Sequence, residues 1–351
     1  MNTTFNNAIN FALSDLMQEN KEVIVWGPGS NDPKAVFGTT HALREKFGHD
    51  RVFDGPISEA EYTGHALGLS LCGFFPIIHF QRVDFSFMAW DQIVNNISKW
   101  SSMFGENIET PLIIRVIQGR GWGQGQQHSQ NPIRMLTSFP GLQVFTPVTP
   151  SQCYSAFHTA YQEKKPTLIY EHRWLQGLEE VEFQKERLLN DTTEYMNSPS
   201  NQNENKGKED LTLLSYSYGI IECLRAKKVL EKAGLKVKVL GVNRFDHHSH
   251  QRVQELFGDP KKAIIFDLSW RSNSPLKDYL QLRENHNLRY ITLEDNYTPT
   301  SFHQTGSYYP TAIEIIKEAK EIFSLDIPID PQRGNHDQPL NDSILNEVHY
   351  S

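Results

Sequence analysis

Cysteine is scarce in this chain: Cys72, Cys153 and Cys223 are scattered through 351 residues and form no CxxC pair. That argues against a structural zinc site built from them and fits a reducing compartment. There is no basic excess either. Thirty-four Lys and Arg stand against 42 Asp and Glu, a formal charge of −8, so nothing argues for nucleic acid as a partner. No apolar run approaches the roughly 20 residues that span a bilayer. The start, Met1-Asn2-Thr3-Thr4-Phe5-Asn6, lacks a positive region followed by an apolar core, so no secretory leader is expected. These absences leave a cytoplasmic enzyme, without nucleic acid or membrane, as the expectation. No internal repeat is evident, and the length allows two domains with a sizeable core.

What is present is an alternation of short apolar runs and helix-spaced segments. Helical spacing covers residues 4–19. Strands are predicted at Val23–Trp26, Arg51–Phe53, Pro76–Phe80, Leu112–Val116, Val144–Phe145 and Thr167–Glu171, with helices at Thr40–Phe47, after Glu59, at Phe87–Trp100 and at Ser151–Tyr161. Such alternation implies an α/β fold with a mostly parallel sheet covered on both faces. Residues 185–210 are polar and turn-rich and read as a linker. A second α/β unit follows, with strands at Leu211–Tyr216, Val237–Leu240, Ala263–Asp267 and Leu288–Leu293 and helices at Ile220–Ala233 and Pro310–Phe323. The division is therefore 1–184, linker 185–210, 211–324, and an extended tail over 325–351 that lies across a partner surface in one reading.

The stretch from Arg51 to Gly64 is the one the rest is organised around. Val52-Phe53 is extended, Asp54-Gly55-Pro56 is a turn, Ser58 is a candidate helix N-cap, and Glu59 opens a helix. On local pattern alone, Glu59 reads as a first-turn acid favoured by the helix dipole. A carboxylate at a strand-to-helix corner also stands where ligands gather in parallel sheets. His128, one of 14 histidines, sits in a Gly- and Gln-rich loop running from Gly119 to Ser129. By itself it reads as a solvated loop histidine, and the loop is not a phosphate-binding fingerprint, having no GK[ST] ending.

Asp54-Gly55-Pro56-Ile57-Ser58-Glu59 resembles the Asp-x-Pro-Ile-Ser-Glu segment of the beta subunits of thiamine-dependent 2-oxo acid dehydrogenases. The resemblance continues in order through Asp84-Phe85-Ser86-Phe87, Asp91-Gln92-Ile93-Val94-Asn95, Gln127-His128-Ser129-Gln130, Pro140-Gly141-Leu142-Gln143-Val144 and Pro166-Thr167-Leu168-Ile169-Tyr170-Glu171. It implies two three-layer α/β/α domains, a pyrimidine-binding one followed by a transketolase C-terminal-like one. It further implies thiamine diphosphate as cofactor, with magnesium held mainly by an alpha subunit, and an alpha2-beta2 assembly containing a second copy of this chain. A 2-oxo acid would be decarboxylated and its acyl group passed to a lipoyl acyltransferase.

By the same resemblance, Glu59 is the carboxylate that hydrogen-bonds the pyrimidine ring and His128 faces the reacting carbonyl and the acceptor. Phe85 packs near the pyrimidine and Gln81 falls by the same pocket; core packing is the plain alternative for Phe85. Arg82 stands where an apolar or aromatic residue is expected, and His79 where an acid is. Arg82 meets an acidic substrate group or pairs with an acid at a subunit contact, and the sequence leaves both open. A monovalent cation, potassium, would be held by the backbone carbonyls of Leu112, Ala160, Tyr161, Glu163 and Lys165, although an ammonium at Lys165 competes with it. In the second half Asn243–His250 and Phe266–Asn273 depart from the family pattern. His247, His248 and His250 suggest a metal, but their spacing matches no zinc arrangement. Two other functions remain: a half-transketolase or acyloin-type carboligase, and a non-catalytic regulatory subunit, against which Glu59 and His128 argue.

Overall fold

A computed structural model describes residues 2–32, 34–105, 108–119, 124–196, 209–258, 260–280, 288–328 and 349–350. The described residues form two large sheets. The first has seven strands in the spatial order Arg244–Phe245, Gln143–Phe145, Thr167–His172, Ile113–Gln118, Phe75–Phe80, Val23–Trp26 and Val52–Phe53. All its pairings are parallel except that of Arg244–Phe245, which runs antiparallel to Gln143–Phe145. The second has six strands: Leu288–Leu293, Ala263–Trp270, Leu211–Tyr216, Val237–Val242, Thr192–Met196 and His349–Tyr350.

Strand periodicity explains the layering. Val23, Val25, Ile77 and Ile113 face one apolar core, while Ile24, Trp26, Ile78 and Ile114 face another. Leu213, Val239 and Ile264 join the first core, and Leu214, Leu240 and Ile265 the second. Successive side chains point to opposite faces of a strand, so each sheet is buried on both sides. Both cores run from one half of the chain into the other. Inside the first sheet, Arg115 donates two bonds to Glu171, at 2.6 and 3.0 Å, and both side chains are fully buried.

Three expectations are corrected. Residues 192–196, inside the presumed linker, form a strand antiparallel to Val237–Val242, because Thr193 and Tyr195 bury against that sheet; residues 197–208 lie outside the described residues. The chain beyond 211 also donates Arg244–Phe245 to the first sheet. The single helix predicted over Phe87–Trp100 is instead a 3₁₀ segment Val83–Ala89, a π-helix Gln92–Ile97 and a short α-helix Trp100–Phe104. Asn95 donates to the Asp91 carboxylate and Asn96 to the Asp91 carbonyl, at 2.8 and 3.3 Å, side-chain bonds that accompany the widened turn. The closing helix is Ala312–Phe323, with Thr311 and Glu314 forming a capping box. Most of the predicted tail, 329–348, lies outside the described residues. Among the described residues no helix is long and apolar enough to cross a membrane.

Candidate active site

The parallel strands of the first sheet bring five loops to one edge. The chain runs from Val23–Trp26 outward to Val52–Phe53, then jumps back to Phe75–Phe80 on the other side of Val23–Trp26. That reversal is the topological switch point at which α/β sheets hold ligands beyond their carboxyl ends. The loops there carry Pro28, Glu59, Gln81 to Phe85, Gly119 with His128, and Arg173.

Glu59 is the first residue of the helix Glu59–Leu71 and is half-buried. Ser58 takes the N-cap position but its hydroxyl makes no capping bond. Gly55 lets the preceding turn close over Trp26: a Cβ there would lie 2.5 Å from the indole Nε1. The Glu59 carboxylate forms no hydrogen bond among the described residues. Its charge reaches the buried Tyr62, whose phenol is held protonated first by burial and then by Glu59.

The Pro28 carbonyl accepts from His79 Nε2 at 2.8 Å and from Gln81 Nε2 at 2.9 Å. A carbonyl only accepts, so the His79 proton sits on Nε2. Its Nδ1 faces Gly27, at φ +151°, where a Cβ would come within 2.9 Å of it. Burial first, then the nearby Arg115 charge, pushes His79 down to about 3, so the ring is neutral.

Phe85 and His128 meet edge to face, with ring centroids 5.4 Å apart. His128 closes a 3₁₀ turn, Gln126–His128, and its Nδ1 is buried without a hydrogen-bond partner among the described residues. Residues 120–123 of this loop lie outside the described residues. Two bonds anchor the loop: Gln130 donates its backbone N–H and its Nε2 to Asp84 at 3.2 and 3.1 Å. Burial raises the Asp84 carboxyl above the usual range against these bonds. Next to it, Asn131 accepts from Tyr170 at 2.7 Å and donates to the Tyr216 hydroxyl and the Leu268 carbonyl at 3.0 and 2.9 Å.

The structure therefore brings Phe85 and His128 into contact and sets Glu59 and Gln81 on neighbouring loops of the same edge. Sequence reading missed Asn131, Arg173 and Phe37. Asn131 alone had a signal, lying directly after the Gln127–Gln130 motif.

The remaining candidates fare differently. The Leu112 carbonyl already accepts from the Thr167 N–H at 3.0 Å, and that of Lys165 from the Thr167 hydroxyl at 3.0 Å. The Glu163 carboxylate accepts from Arg244, and the Lys164 ammonium lies 3.6 Å over the Tyr161 ring. A backbone carbonyl carries two lone pairs, so these bonds leave the expected monovalent-cation ligands able to serve. The segment carrying His247, His248 and His250 is the helix His247–Phe257. The side chains of His247 and His248 lie outside the described residues, and among the described residues no cluster of three His, Cys, Asp or Glu could hold a metal. A groove of about 920 Å³ opens in the second half between Arg271, Tyr297, Tyr308 and Lys317, and none of the predicted site residues lines it. Chemistry, not volume, singles out the first sheet's edge.

Residues 2–177 match the family described as the transketolase pyrimidine binding domain. Over 278 residues the chain is 30% identical to the beta subunit of an acetoin:2,6-dichlorophenolindophenol oxidoreductase of Cupriavidus necator, covering 74% of this chain and 77% of the relative. It is 31% identical to a pyruvate dehydrogenase E1 component beta subunit of Staphylococcus epidermidis, over 66% of this chain and 70% of the relative. The mitochondrial counterpart of Pisum sativum is 30% identical over 68% of this chain and 66% of its own length. Among solved structures, a split-gene transketolase in an inactive beta4 tetramer superposes with a TM-score of 0.69 at 18% identity, covering 92% of this chain and 99% of that one. That likeness extends to both sheets and concerns the fold alone.

Proposed function

Because the chain belongs to the family of beta subunits of thiamine-diphosphate-dependent 2-oxo acid dehydrogenases, we propose that it is the half of such an enzyme that holds the aminopyrimidine ring and activates the cofactor through Glu59. The observation that carries this reading is the state of Glu59: half-buried at the switch-point edge, in a helix first turn, with no hydrogen bond among the described residues.

The edge suits the cofactor's pyrimidine end. Trp26 Nε1, His79 Nδ1, Asp84 Oδ2 and His128 Nδ1 are all buried without a partner among the described residues, which marks a place where a ligand completes the polar bonding. When bound, thiamine diphosphate supplies the electron sink that decarboxylation of a 2-oxo acid requires. Glu59 would be the carboxylate that hydrogen-bonds the ring nitrogen. Phe85 offers an aromatic surface, and its edge contact with His128 supports the imidazole that, in this proposal, faces the reacting carbonyl. The loop can approach a ligand closely because Gly119 and Gly125 carry no side chains; a Cβ on Gly119 would lie 2.6 Å from the His128 carbonyl.

No Gly-Asp-Gly…Asn motif for the diphosphate and its magnesium occurs in this sequence. The alpha subunit supplies that service in the proposal, within an alpha2-beta2 assembly, with the acyl group passing to a lipoyl arm. Cytoplasmic placement belongs to the proposal too; the pea relative is mitochondrial by name. The relative named for acetoin favours a second reading, in which the substrate or product is an acyloin.

Glu59→Gln in the reconstituted alpha–beta complex tests the main reading. The variant should melt as the wild type does, yet lose cofactor-dependent turnover by about 10²–10⁴-fold. Near-normal turnover would remove Glu59 from the mechanism.

A further inference from the structure

Asp84 and Phe85, adjacent on the 3₁₀ segment Val83–Ala89, grip the His128 loop at two points. The Phe85 ring meets the His128 ring edge to face. Asp84 Oδ1 accepts both donors of Gln130, the backbone N–H at 3.2 Å and Nε2 at 3.1 Å. The imidazole and the backbone just beyond it are thus fixed to one short stretch of chain.

This clamp uses only one carboxyl oxygen. The other, Asp84 Oδ2, is buried without a hydrogen-bond partner among the described residues, on a residue that is 7% exposed. An asparagine would accept the same two bonds through its amide oxygen and bury no charge. Burying a carboxylate costs far more than burying an amide, so holding the loop does not by itself account for an acid here. The charge acts on the ring next to it. Burial raises the Asp84 carboxyl, while the Gln130 bonds and then the His128 charge lower it. Asp84 also acts on Arg82, whose charge is opposed by burial and Arg173 and supported by Asp84. No hydrogen bond joins Asp84 to His128, and the His128 Nδ1 is buried without a partner among the described residues. Buried charges act on each other across several ångströms with little screening.

Resting on the 2-oxo acid reading above, we infer that Asp84 is a positioning residue for the reaction: it clamps the His128 loop through Gln130, and its carboxylate favours the imidazolium form of His128. The proton moves between the imidazole and the oxygen of the reacting carbonyl, and Asp84 keeps its charge throughout.

Asp84→Asn keeps the oxygen that Gln130 needs and removes the charge; Asp84→Ala removes both. Both are measured in the reconstituted alpha–beta complex, with 2-oxo acids and an artificial electron acceptor. Asp84→Asn should lower kcat by about 10–100-fold and leave KM nearly unchanged. In a His128→Ala background the same change should cost about twofold or less, because the ring it serves is gone. Hydrogen exchange at the Gln130 amide reads the clamp: it should quicken in Asp84→Ala and stay at the wild-type rate in Asp84→Asn. A wild-type kcat in Asp84→Asn would overturn the inference, and so would an equal loss with and without His128, which would place the charge's action on another group such as Arg82. If the wild-type complex turns over no 2-oxo acid at all, the enzyme reading fails, and exchange alone decides the clamp: quickened exchange in Asp84→Ala upholds it, and unchanged exchange rejects it. Should Asp84→Ala not fold, Gln130→Met, which breaks one of the two bonds and leaves the charge, carries the exchange measurement at position 130.

Discussion

The carboxyl edges of the two sheets treat their carboxylates in opposite ways. At the first edge the Glu59 carboxylate has no hydrogen bond, and His79, Asp84 and His128 each bury an atom without a partner, among the described residues. At the second edge Asp267, fully buried, uses both oxygens: one accepts from Tyr216 and the Ser269 N–H at 2.8 and 2.9 Å, the other from Ser274 at 2.6 Å. Its bonds extend through Tyr216 to Asn131, and so to the loop that carries His128. A satisfied buried network rigidifies, whereas unmet buried groups are tolerated where a ligand meets them. In the proposed reading one edge binds, and the other holds the binding loop in place. Substitutions should separate the two by their effect on stability relative to their effect on turnover.

The largest stability effect is expected at His79 in acid. In the folded chain His79 stays neutral down to about 3, against an ordinary value of 6.5. Below pH 6.5 the unfolded chain takes up a proton that the folded chain refuses. His79 therefore contributes its full stability above pH 6.5 and loses it as the pH falls toward 3, by at most about 5 kcal/mol. His79→Gln can still donate to the Pro28 carbonyl but cannot titrate. Denaturant midpoints measured between pH 7 and 4.5 should fall less steeply for the variant. Parallel slopes would show that the first edge carries no such liability.

Asp267→Asn comes next, with a loss of about 1–3 kcal/mol from broken buried bonds. Thermal melting should drop while kcat stays near the wild-type value. A fall in kcat without a fall in melting temperature would break the comparison, since Asp267 would then behave as a first-edge residue.

How much of this contrast the residues announce in advance depends on whether a feature is local. The strands Val23–Trp26 and Leu288–Leu293 follow from apolar runs and stand where periodicity puts them. The corner at Glu59 follows from a turn cluster ahead of a helix-forming run. The π-helix at Gln92–Ile97 does not, because Ile93, Val94 and Ile97 suit an α-helix equally well, and the bonds of Asn95 and Asn96 to Asp91 that accompany the widened turn leave no mark in the apolar spacing. The strands Thr192–Met196 and Arg244–Phe245 exist only through partners distant in sequence, Val237–Val242 and Gln143–Phe145. The pairing of Arg82 with Arg173 across Phe37 depends on three separate loops meeting, which no spacing along the chain records.

His128→Ala should have the smallest effect on stability. The residue is half-buried, its Nδ1 has no partner among the described residues, and its ring contact with Phe85 is worth about 1 kcal/mol or less. The anchors of its loop, Gln130 on Asp84 and Asn131 between Tyr170 and Tyr216, remain in the variant. Cofactor affinity should also hold, because Glu59 lies on another loop. Activity should not. The reconstituted complex can be assayed with an artificial electron acceptor for decarboxylation and with a lipoyl domain for acyl transfer. A loss confined to the second assay puts the imidazole on the acceptor side. An equal loss in both puts it at the substrate's carboxylate or carbonyl. A collapse of cofactor affinity with both assays otherwise intact would make the loop structural, and the two edges would no longer differ in kind.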